Sequence, residues 1–212
     1  MKLKYLLSIL FFAIILGGIS YSQENTLSNI EIIDNLIDES LIQLENKLLI
    51  TGKENFYNIL TEAENEEQNY IANSIKNKFG DYNFLINYQP EADTGKNIFT
   101  VLIKNPALKV EYIKVRSDNV LGSKIVDRKV SVRYDTEVKN IKDSTLVFSN
   151  KFNKESKSSF DFNSLGMIED RRYSFAGSVL PEDSAFDKIL TPALIILATA
   201  SAIILFFVIR SK

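Results

Sequence analysis

The 212-residue chain has no cysteine, no histidine and no tryptophan, and it carries only 4 prolines and 8 glycines. Without histidine, the commonest general base near neutral pH is missing. Without cysteine there is no thiol nucleophile, no disulfide and no zinc site of the nitrogen–sulfur type. There is no Gly-rich phosphate loop, no Gly-x-Ser-x-Gly and no EF-hand loop, and no repeat of fixed period. The chemistry left open is a carboxylate pair or a Ser–Lys dyad. Asp161, Glu169 and Asp170 lie on segments without clear periodicity, and Ser158 and Ser159 follow Lys157. With 27 Asp and Glu in the chain, such neighbours are expected and read as solvated surface. No catalytic, cofactor-binding or metal-ligating residue is assigned, no cofactor is expected, and the chain reads as a non-enzyme.

Two apolar runs bracket the sequence. Lys2 and Lys4 precede an apolar stretch from Tyr5 to Leu16, followed by Gly17, Gly18, Ser20 and Ser22. This is the layout of a secretory signal peptide over residues 1–22, with cleavage after Ser22 or after Ser20. The second run, Ile189–Ile209, contains no charge and would rise about 31 Å as a helix, close to the roughly 30 Å of bilayer hydrocarbon. Arg210 and Lys212 follow it, and basic residues favour the cytoplasmic side. The expectation is a single-pass transmembrane helix at 189–209 in a bacterial inner membrane. It places residues 23–188 in the periplasm and a 210–212 tail in the cytoplasm. Ala198 and Ala202 are spaced to let two such helices pack as a homodimer. Leu180-Pro181-Glu182-Asp183-Ser184 reads as a Pro-containing turn, and its layout ahead of an apolar run also resembles bacterial sorting tails.

Between the runs, the part over 23–188 carries about −6. An acidic balance disfavours nucleic acid, whose binding needs clustered Lys and Arg. A first helix starts with the capping box Ser28-x-x-Glu31 and shows a stripe of Ile30, Ile33, Ile37, Leu41, Leu44 and Leu48 before Gly52. Asn55 to Leu60 reads as a short buried strand. A second helix is expected from a Thr61-x-x-Glu64 box, with Tyr70, Ile71, Ile75 and Phe79 on its apolar side and Gly80 at its end. Glu62, Glu64, Glu66 and Glu67 then suit a helix start, where the dipole favours negative charge.

From Tyr82 the period changes to two. Strands are read at Tyr82–Tyr88, Asn97–Lys104 and Ala107–Ser117, with a break at Asn105-Pro106 and a bulge where the phase slips from Tyr112 to Ile113. Val126, Val130, Val132, Tyr134 and Val138 alternate with Asp127, Lys129, Ser131, Arg133, Asp135 and Glu137, a half-buried strand with one wet face. Arg128 falls on its inward side, where an arginine is expected to reach the rim or meet a carboxylate. Thr145–Phe152 is the return strand, and Asn153–Ser159 reads as a polar, mobile stretch. Phe160, Phe162, Leu165, Met167, Ile168, Tyr173 and Phe175 then either close over the sheet or form a docking surface. The expected fold class is α+β: two N-terminal helices on a mainly antiparallel sheet of about five strands, over a domain at 23–155. An irregular segment at 156–188 and the transmembrane helix follow.

The hairpin Asp127–Phe152, with a basic start, an alternating strand, a polar turn and an aromatic return strand, resembles the periplasmic α/β domain of curli-secretion-channel and penicillin-binding-protein-activator lipoproteins. The likeness covers about 100 residues and includes the helix–strand–helix order. It implies a non-enzymatic scaffold or accessory domain and carries over no site residue. The functional expectation is an extracytoplasmic accessory or assembly protein of the cell envelope, anchored to the membrane through Ile189–Ile209 and binding an envelope protein partner but no nucleic acid. The alternatives are a carboxylate-dependent enzyme of cell-wall glycan and a surface protein with a processed sorting tail.

Overall fold

The computed structural model describes residues 26–62, 64–88, 97–117, 123–182 and 185–210. The expected signal peptide and both of its cleavage points lie outside them, as do Asp183 and Ser184 of the sorting-type motif. Helix α1 spans Asn29–Thr51 and is set by its capping box: Ser28 Oγ accepts from Glu31 N at 3.2 Å, and Glu31 Oε2 accepts from Ser28 N at 2.6 Å. Its Ile33, Ile37, Leu41, Leu44 and Leu48 are buried. Gly52 ends it with φ of 96° while its N–H returns to Leu48 O at 3.0 Å.

Strand β1, Phe56–Leu60, follows, then helix α2, Glu66–Lys78. The cap of α2 is Asn65, whose Oδ1 accepts from Gln68 N at 2.9 Å, so the expected Thr61 box is corrected. A short Asx cap serves the orphan N–H groups four residues later than the sequence pattern suggests. The remaining strands are β2, Asn83–Ile86; β3, Ile98–Ser117; β4, Lys124–Asn140; and β5, Leu146–Asp161. They form one sheet in the order β2-β1-β3-β4-β5. β1 is parallel to both β2 and β3, whereas β3, β4 and β5 are antiparallel.

The expected fold class is therefore corrected. The sheet is mixed, because the α2 crossover returns the chain parallel to β1. The two helices are not a consecutive N-terminal pair: β1 separates them in the chain, the long α1 packs on β4 and β5, α2 packs on β3 and β2, and the helices touch each other side by side. A four-residue α3, Leu165–Ile168, and a C-terminal α4, Ala185–Arg210, complete the helices among the described residues. Among those residues no helix is long and apolar enough to cross a membrane. The expected transmembrane span at Ile189–Ile209, with the single-pass inner-membrane placement built on it, is overturned by that finding.

The strand readings are also revised. β3 is one strand, not two: Asn105 takes a φ of 50° and a register shift between Lys104 and Ala107 lifts Asn105-Pro106 out of the ladder. Pro106 thus gives up no sheet hydrogen bond. The bulge at Tyr112 is present, with Ile113 as the extra, exposed residue. β5 continues through the polar Asn153–Ser159 to Asp161, because β4 offers backbone partners along that whole length. One contiguous apolar core holds the layers together, and two parts of it stand out. One lies under α1 with Val126, Val130 and Val132; the other is a ring cluster in which Tyr57 stacks on Phe84 and Phe99 at 5.0 and 5.5 Å.

Candidate functional site

The largest fully buried side chain is that of Arg128, on the inward face of β4 and 1% exposed. Its Nε donates to Ser158 Oγ at 2.8 Å, its Nη1 to Asn29 Oδ1 at 2.7 Å, and its Nη2 to Leu27 O. Its guanidinium lies over the Phe160 ring at 5.3 Å. Asn29 Nδ2 donates onward to Tyr112 Oη at 3.1 Å and Ala176 O at 2.7 Å, and Tyr112 Oη donates to Glu169 Oε1 at 2.8 Å. Burial pushes the Tyr112 phenol above its usual range and Arg128 below its own. The expectation that Arg128 reaches the rim or meets a carboxylate is corrected: it is enclosed, and its hydrogen bonds end on neutral oxygens. This network ties the start of α1, three strands and the segment after β5 into one clamp. The segment itself closes over the sheet, with Ile168, Phe175 and Ala176 buried.

The carboxylates considered for catalysis are each held locally. Asp161 Oδ1 accepts from Asn163 N at 2.8 Å, Glu169 is bound to Tyr112, and Asp170 pairs with Arg172 at 2.6 Å. Lys157 and Ser158 point to opposite faces of β5, Ser158 is taken by Arg128, and Ser159 Oγ donates to Asp127 at 2.7 Å. Among the described residues no three acidic side chains gather where they could hold a metal ion. An open depression of about 550 Å³ lies between α1, α2 and the closing segment, lined by Asp34, Glu64, Glu66, Asn69, Tyr70 and Tyr173. Glu66 is engaged there, accepting from Ser174 N at 3.1 Å, and Tyr70 Oη donates to Asp34 Oδ1 at 2.7 Å. Burial raises both the Tyr70 phenol and the Asp34 carboxyl.

The face of β3, β4 and β5 turned away from the helices is wet and strongly charged. By strand register its outward positions carry nine Lys and Arg against six Asp and Glu, while α1 carries five acidic residues and one basic. Lys104 and Lys139 flank Glu137 at 2.8 and 2.9 Å, and Lys109 and Lys129 flank Glu111, each at 2.7 Å. The two ammonium groups hold the Glu111 carboxyl down to about 2. Exposed pairs of this kind are screened by water and salt, so they order the surface more than they stabilise the fold. At the border of this face, β5 pairs with β4 on one side, and among the described residues no strand pairs on the other. Its outward positions include Lys151, Asn153, Glu155 and Lys157, all exposed. The sequence pattern showed the wet face of β4. The free edge was hidden because it depends on β5 running past Phe152.

No protein-family profile matches the chain, and no curated protein matches it. Among solved structures it is similar to a neuraminyllactose-binding hemagglutinin homolog from Helicobacter pylori, with 11% identity and a TM-score of 0.30 over 70% of this chain and 83% of that one.

Proposed function

We propose that this chain is a non-catalytic accessory or assembly protein of the cell envelope, exported by the signal-peptide pattern of residues 1–22, that binds a protein partner along β5 and the adjoining charged face. The observation that carries this reading is the 16-residue border strand, one side of which pairs with no strand among the described residues. Such an edge presents a row of backbone donors and acceptors that another strand can satisfy. The local engagement of Asp161, Glu169 and Asp170 supports it over glycan hydrolysis, which needs two carboxyl groups facing each other across a cleft. A photo-crosslinking residue at Asn153, on the border strand, is expected to yield one discrete protein adduct in the producing cell. The same group at Asn73, exposed on α2, is expected to yield none. Equal, diffuse labelling from both positions would overturn the reading.

A further inference from the structure

We infer that the partner strand on β5 is the β5 of a second copy of this chain, paired antiparallel about Ser156. This rests on the reading of β5 as a binding edge and names its occupant. An edge defended only by lysines repels every basic strand, including its own copy. The charges of β5 are mixed and ordered: Lys151, Lys154, Glu155, Lys157, Asp161. When two copies run antiparallel around a twofold axis normal to the sheet, residues on one face meet residues on the same face, so only every second register is allowed. Centred on Ser156, Lys151 faces Asp161 and Glu155 faces Lys157, and the symmetry repeats both pairs. Lys154 then faces Ser158, and the paired length runs from Lys151 to Asp161.

The neighbouring registers are worse. Centred on Lys154, that lysine meets its twin and Lys151 meets Lys157. Centred on Glu155 or on Lys157, a like charge again sits on the axis. Centring on Asn153 opposes only Lys151 with Glu155. The favoured register uses side chains with room to turn toward a partner: Lys157 and Glu155, 67% and 52% exposed, pair with each other at 3.4 Å within one strand and can exchange that contact for the same contact across the axis, and Lys151 is exposed and makes no ion pair among the described residues. The product is a continuous ten-stranded sheet with both basic faces on one side.

The chain has no cysteine of its own, so a single introduced thiol reports its own contacts. Under mild oxidation of the full chain in the producing cell, Ser156→Cys is expected to form a covalent dimer, because the two residues stand opposite each other at disulfide range. Lys154→Cys serves as control, since its twin is displaced by four residues, about 14 Å, beyond the reach of a disulfide. Adding Lys157→Glu to Ser156→Cys is expected to cut the crosslinked fraction at least tenfold, and adding Glu155→Lys as well to restore it. Recovery by that swap separates pairing from misfolding. A crosslink through Lys154→Cys and not Ser156→Cys, or one insensitive to the charge swap, would overturn the register. Absence of any self-crosslink together with a discrete foreign adduct at Asn153 would overturn self-pairing and leave the binding edge standing.

Discussion

Arg128 shows how far one residue's role depends on distant sequence. Strand alternation places it on the inward side of β4, and that much is readable from the chain. Its enclosure is not, because the oxygens that receive it belong to Leu27, Asn29 and Ser158, two of them about a hundred positions upstream. Hydrogen bonds to a charged donor contribute roughly 1.5–3 kcal/mol each, and a buried acceptor left without a donor costs about 1–3 kcal/mol. Arg128→Ala is therefore expected to destabilise the fold by about 3–5 kcal/mol, seen as a lowered urea midpoint by circular dichroism. Arg128→Lys, which keeps the charge but loses the planar fork, should fall between. A loss under about 1 kcal/mol for Arg128→Ala would show that the clamp is not what fastens α1 to the sheet.

At the scale of elements, α1 was the most legible part, since its cap, stripe and stop are all local. Ser28→Ala removes the side-chain acceptor for Glu31 N and is expected to cost about 1 kcal/mol in thermal or urea unfolding, with Ser28→Asp near wild type. No change with Ser28→Ala would mean that burial alone fixes where the helix begins. Where the sequence misleads, a neighbour has overridden a local signal. Asn105-Pro106 signals a break, yet β3 passes it by a bulge because β4 pairs with it on both sides of the interruption. Asn153–Ser159 is polar enough to suggest a loop, yet β4 holds it as strand. The parallel placement of β1 is invisible locally, because alternation and apolar content do not report strand direction. The edge of β5 was unreadable for the same reason: an edge is a property of the sheet, not of the segment.

For the whole molecule, charge and buried phenols set the response to pH. Burial raises Tyr57, Tyr70, Tyr112 and Tyr134, the last up to about 12 from an ordinary value near 10. A raised folded-state value favours the protonated form in the fold. Its stabilisation is complete below about pH 10 and is lost as the pH rises from there through 12. Stability is expected to be level from pH 7 to 9 and then to fall, and Tyr134→Phe should lessen the slope by up to about 1.4 kcal/mol per pH unit. An unchanged slope in that variant would remove Tyr134 from the alkaline transition.

The layering also has a consequence for synthesis. The apolar stripe of α1 leaves the ribosome early, but the surface that shelters it is made late: Asn29 and Arg128 are separated by 99 positions. At about 5–20 residues per second, the nascent helix waits roughly 5–20 s with its greasy side in water. That interval is long enough for chaperone capture, and a growing chain stalled before β4 would be the species most prone to clump.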